Sequence, residues 1–174
     1  CDFAGGLKSA TIMAMLLMAS ILNGQVHHGG APNWNIDESI IPSVRLTNID
    51  RTLLDSQDAV TDQFKEAPWR FGVEFDVSID PAVDGVWTVE ANERVWRIRV
   101  EAQEALGLSF FFDEFLLPKG GELFIWNTER TDFIGSFDHR NNKDWGTLAI
   151  GQTAGSSVII EYREQFDVAF SAEL

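Results

Sequence analysis

At 174 residues the chain is long enough for one domain with a sizeable core, and its 45% hydrophobic and 11% aromatic content excludes a disordered segment. Its 13 basic and 27 acidic residues give a formal net charge of −14. That balance excludes a partner held through nucleic-acid phosphates, which needs clustered Lys and Arg, and fits a soluble surface or a partner with a basic face.

Residues 1–24 follow the order of a secretory signal peptide: Lys8, the uncharged 12-residue run TIMAMLLMASIL, then a small and polar patch. The run falls short of the roughly 20 residues that a membrane span needs. Cleavage is expected near Gly24-Gln25, with Leu22 and Gly24 at the recognition positions. The mature chain is then secreted or held at the cell surface, with no membrane segment left. A buried core helix is the other reading of the same run. The sole cysteine, Cys1, precedes the apolar run, so it is no lipid anchor, and the mature chain has no thiol for a disulfide framework. The chain opens without Met and stops inside the strand-like FSAEL, and it reads as a fragment open on its C-terminal side.

Residues 25–68 read as an extended leader with short helices. QVHHGGAPNWNIDESIIPSVRLT shows no sustained period, whereas Ile49, Leu53, Val60 and Phe64 lie near helical spacing. Asn48 or Asp50 is placed to cap that helix, and Pro68 to stop it.

From residue 69 the period changes to two. In RFGVEFDVSID, Phe71, Val73, Phe75, Val77 and Ile79 alternate with polar or small residues, which predicts a strand with one buried face. VWRIRVE places Trp96, Ile98 and Val100 inward and Arg97, Arg99 and Glu101 outward. LGLSFFF and SVIIEY repeat the pattern, with shorter candidates around 86–89, 122–126, 133–137 and 145–150. Asp84-Gly85, Ala91-Asn92, Pro118 to Gly121, Asn141-Asn142 and Ala154-Gly155 supply the turns. About eight short strands over 69–174 predict an all-β, antiparallel β-sandwich, jelly-roll-like, with Phe75, Trp96, Ile98, Phe110, Leu123, Ile125 and Ile160 in its core.

Motifs for catalysis are missing: no G-x-S-x-G, no H-E-x-x-H, no paired cysteines and no phosphate-cradling glycine loop. His27 and His28 lie in the leader, and the adjacent Asp138-His139 would point to opposite faces of a strand, so no nucleophile–base–orienter set assembles. DHRNNKDWG gathers Asp138, Asn141, Asn142 and Asp144, oxygen donors of the kind calcium takes, although an ordinary polar turn is the first reading because the spacing is not that of an EF-hand and Arg140 and Lys143 dilute the field. Of the six tryptophans, Trp34 and Trp145 are the candidates for stacking on a glycan.

The string GVWTVEANERVWRIRVEAQEALGLSFFFDEFLLPKGGELFIWN, followed by IGSF, NN, G and VIIEY, resembles the N-terminal pro-region of secreted bacterial trypsin-like serine proteases of the lysyl-endopeptidase type. The shared features are Gly85 with Trp87, Trp96-Arg97, Leu106 to Phe110, Phe115 to Asn127, Ile134-Gly135 with Phe137, Asn141-Asn142, and Val158 to Tyr162. Trp126 stands where the family has Tyr, and Gly120-Gly121 where it has Gly-Ala. The resemblance, over about residues 42–174, implies a non-catalytic pro-region without cofactors. It would assist folding and keep a downstream protease domain of the same precursor, its partner, inactive; the full-length parent would be a secreted serine endopeptidase. The other readings are a carbohydrate- or surface-binding accessory module of an exported protein, and a structural domain of a cell-surface assembly.

Overall fold

The computed structural model describes residues 27–64 and 68–174. The expected signal peptide, with its cleavage point at Gly24 and Gln25, lies outside the described residues. The elements are β1 (Ser43–Arg45), α1 (Arg51–Thr61), β2 (Val86–Glu90), β3 (Glu93–Glu101), β4 (Gly107–Phe112), β5 (Gly121–Asn127), β6 (Phe133–Asp138), β7 (Leu148–Ala154) and β8 (Ser157–Gln165). The larger sheet runs β1–β3–β8–β5–β6, with β2 also paired to β3, and β4–β7 forms a second sheet. The class is all-β and sandwich-like. Every pairing is antiparallel except the three-residue β1–β3 ladder.

Alternation along the central strands sends side chains to two covered faces. Trp96, Ile98 and Val100 of β3, Leu123 and Ile125 of β5, and Val158, Ile160 and Tyr162 of β8 meet Leu148 and Ile150 of β7 in the main core, with Phe115 and Leu117 from the β4–β5 connection. The opposite face of the larger sheet carries Phe124, Trp126 and Ile159, with Ile41, Trp34 and Ile36 of the leader packed on them. The leader therefore works as a strap. It bonds to the outer edge of β6 (His28 N–H to Ser136 O at 2.8 Å, Ser136 N–H to Gly29 O at 3.1 Å), crosses the sheet, and arrives at β3, where Arg99 N–H donates to Pro42 O at 3.0 Å.

The strand–turn–strand around Pro118 follows its sequence. Gly121 N–H closes the turn on Pro118 O at 3.0 Å, and Gly120 takes φ +92°, open to glycine at no steric cost. A Cβ on Gly121 would lie 2.6 Å from the Tyr162 hydroxyl. Asp50 caps α1, its side chain accepting from Leu53 N–H, but the helix ends at Thr61, before Pro68.

Two expectations fail. Residues 71–79 form no strand; Phe71 is fully exposed, Val73 and Val77 are exposed, and Phe75 is only half-buried. Phe110 is also half-buried, because the sheet that carries it has only two strands and leaves its flanks open. Trp96, Ile98, Leu123, Ile125 and Ile160 are buried.

Candidate functional site

The strap is fastened over the larger sheet by a buried ion cluster. Register sets it up: Arg97 on β3 is paired with Glu161 on β8, and Phe124 on β5 with Glu161 from the other side. Arg97 is 3% exposed and Glu161 is fully buried. Arg97 Nε donates to Glu161 Oε2 at 2.8 Å, and its two terminal nitrogens reach Glu90 at 2.5 and 3.2 Å. Arg163 Nε donates to Glu161 Oε1 at 2.7 Å, and its guanidinium lies 4.9 Å over the Phe124 ring. The leader completes the set: Asn33 N–H donates to Glu161 Oε1 at 3.1 Å, Asn33 Nδ2 to Glu90 Oε2 at 2.8 Å, and Arg163 Nη2 to Ala31 O at 3.1 Å. Two carboxylates and two guanidiniums balance in charge, which is the condition for burying them. Beside the cluster a groove of about 440 Å³ opens between the strap and β2, lined by Asn33, Asp37, Ile40, Thr88, Glu90 and Arg97 among others.

Burial alone would lower the Arg97 pKa, but hydrogen bonds and charge from Glu90 and Glu161 raise it above its ordinary value. The Glu90 carboxyl falls from 4.5 to about 2, with the Arg97 hydrogen bonds as the main cause and desolvation opposing. A depressed carboxylate contributes its full stabilisation above the unfolded value and loses it as pH falls toward the folded one. Stability should thus drop on the order of 1–2 kcal/mol between about pH 5 and about pH 2.5 from this group, less than full linkage because solvent reaches it. Urea melts across that range check it: Glu90→Gln should flatten this part of the acid dependence, and an unchanged slope would exclude Glu90 as its source.

Several of the motif residues behind the family resemblance make clasps within the fold. Trp96 is paired with Tyr162, as Arg97 is with Glu161. Trp96 Nε1 donates to Asp84 O at 2.7 Å; Gly85, at φ +78°, leaves room for that indole, since a Cβ there would lie 2.4 Å from Nε1. Trp87 meets the Tyr162 ring edge-on at 6.1 Å. Tyr162 donates to Glu164 at 2.9 Å, and burial, with the Glu164 carboxylate beside it, pushes its phenol pKa well above the ordinary value. Arg94 pairs with the same Glu164. Asn127 Oδ1 accepts from Thr131 N–H and Asp132 N–H at 2.9 and 3.0 Å, closing the β5–β6 turn.

Three of the four oxygen donors weighed for calcium make bonds within the fold. Asn142 clasps the Leu117 backbone with both ends of its amide, at 2.9 Å each. Asn141 Oδ1 accepts from Asp138 N–H at 3.0 Å. Asp138 caps the 3₁₀ turn His139–Asn141 and takes Arg140 Nη2 at 2.6 Å. Burial opposes its ionisation, yet the Arg140 side-chain and backbone hydrogen bonds and nearby His28 together lower its pKa. Asp144 lies in the following loop, beside the open cleft that Asp113, Glu114 and Glu173 also line. Among the described residues no group of three or more His, Cys, Asp or Glu side chains is arranged to hold a metal.

His28 Nε2 and His139 Nδ1 flank Asp138 at 3.7 and 3.8 Å. Among the described residues His28 Nε2 has no hydrogen-bond partner. Trp34 is not free for a ligand: it is half-buried, packs on the strap-side core and meets Phe133 edge-on at 6.0 Å. Trp145 is 71% exposed. Asn33, Glu90, Glu161 and Arg163 were not singled out from sequence. Arg97, read from the alternation as outward and solvent-facing like Arg99 and Glu101, is instead buried under the strap, and nothing in its strand set it apart from those other charged residues.

No family model matches the chain, and no solved structure matches it significantly. Among the described residues no helix is long and apolar enough to cross a membrane.

Proposed function

We propose that the chain is the non-catalytic pro-region of an exported serine protease precursor, built on a jelly-roll-like sandwich. The connections β3–β4, β4–β5, β6–β7 and β7–β8 each pass from one sheet to the other, and such inter-sheet winding supports the jelly-roll-like reading. The observation that carries the reading is the convergence of the shared motifs: Gly85, Trp87, Trp96-Arg97 and Glu161-Tyr162, far apart in sequence, are neighbours in one cluster. That these residues interlock supports reading the resemblance as one of fold. The role as pro-region, with the protein exported and its partner the downstream protease domain of the same precursor, rests on the resemblance. The glycan-binding alternative has Trp145 but loses Trp34 to packing.

Binding to the native protease would stabilise it by mass action, at an effective concentration set by the tether. Residues 25–174, added to the separately expressed downstream domain, should raise its refolding yield and slow its cleavage of a peptide substrate. They should hydrolyse no peptide, ester or glycan themselves. With a net charge of −14 on the chain, association should slow as salt rises. Equal yield and equal activity with and without the fragment at every salt concentration would remove the proposal in favour of an accessory module.

A further inference from the structure

The segment 69–79 has the sequence of a sheet strand and no sheet. Its backbone has no helix, strand, turn or bend from 71 to 79, and those residues make no backbone hydrogen bond to any described residue. It is nevertheless held at both ends. Arg70 pairs with Asp58 of α1 at 3.0 Å and donates to Gln57 at 3.2 Å. Asp80 closes a turn, its N–H donating to Asp84 Oδ2 at 2.9 Å and its Oδ1 accepting from Ala82 N–H at 2.8 Å. Ile79 packs against the main core. Between these anchors Phe71 is fully exposed, and Val73 and Val77 are 41% and 42% exposed. On the alternate positions Glu74 and Asp76 make no ion pair or hydrogen bond with a described residue.

A backbone with its N–H and C=O groups unpaired and one apolar row is a template for strand addition. Anchoring at both ends removes part of the ordering entropy that such binding costs. We propose that residues 69–79 are a docking strand that adds to the open sheet edge of a protein partner with an apolar groove and a basic rim. Charge chooses the occupant. Antiparallel pairing of two copies about Phe75 sets Glu74 opposite Asp76, and pairing about Glu74 sets that residue against itself. Like charges directly opposite destabilise a ladder, and two chains of net charge −14 repel. A basic edge strand reverses both effects. The inference goes beyond the pro-region reading and does not depend on it, since a failed refolding assay leaves the docking strand standing.

Amide hydrogen exchange on residues 25–174 tests it with two soluble twelve-residue probes, one alternating valine with lysine and one alternating valine with glutamate. The lysine peptide should slow exchange of the 71–79 amides about tenfold or more at saturation, with the effect lost in high salt, and the glutamate peptide should not. A Val73→Pro/Val77→Pro variant should lose the protection while the β3 and β8 amides stay protected, because neither residue donates a bond within the fold. Four results would overturn the proposal: amides 71–79 already protected in the free chain, equal protection by both peptides, protection confined to β4, β6 or β7, or a dimer in sedimentation that protects the same segment.

Discussion

Arg97→Met should destabilise the protein by about 3–5 kcal/mol, since it takes from a buried carboxylate one of its two guanidinium partners and leaves Arg163 as the other. Glu161 is fully buried and takes hydrogen bonds from Arg97, Arg163 and Asn33. Methionine removes the first of these and supplies nothing polar in return. Glu90 loses the same partner but keeps Asn33 and Thr88, and water reaches it. The double variant Arg97→Met/Glu161→Leu removes charge from both strands at once and should cost less than Arg97→Met alone. Arg163 would still hold Ala31 O and the Phe124 face. Urea melts of the single and double variants decide the matter. A double variant less stable than the single one would show that the cluster adds net stability beyond charge compensation, against the expectation for buried pairs.

The central strands could be read from sequence because local and global preferences agree there. VWRIRVE alternates, ELFIWN and SVIIEY hold short apolar runs, and all three are rich in β-branched and aromatic residues and flanked by turn chemistry. RFGVEFDVSID satisfies the same local criteria. Its failure to join a sheet shows that alternation specifies a strand's faces but not its neighbour. β1 fails the other way: three residues, Ser43 to Arg45, carry no local signal and become a strand only because β3 offers an edge. The ion cluster was illegible for a related reason. Asn33 and Glu161 are 128 positions apart, and nothing within either neighbourhood marks the other. The DHRNNKDWG loop had the reverse problem: its oxygen donors are conspicuous in sequence, but Asn142 is taken by the Leu117 backbone, 25 positions away, which no local pattern reveals.

A chain that starts at residue 43, without the strap, should be far less stable than residues 25–174 and should expose an apolar face. Three contributions disappear together. Phe124, Trp126 and Ile159, all fully buried, lose the cover of Trp34, Ile36 and Ile41; each large side chain returned to water costs about 1.5–3 kcal/mol. Glu161 and Arg163 lose Asn33 N–H and Ala31 O. Glu38, which joins Arg99 at 2.8 Å to Arg130 at 2.9 Å, is removed, leaving two guanidiniums without that partner. The sum is on the order of 5 kcal/mol or more, comparable with the whole net stability of about 5–15 kcal/mol of a typical domain. The truncated chain should therefore melt at markedly lower urea, bind a hydrophobic dye and show red-shifted tryptophan emission as Trp126 meets water. Asn33→Ala in the longer chain provides the control: it keeps the apolar cover and the backbone donor to Glu161, removes the side-chain bond to Glu90, and should cost only about 1 kcal/mol. If the truncated chain melts with residues 25–174 and binds no more dye, the strap is not part of the folded unit, and the outer face of the larger sheet must be stable in water by itself.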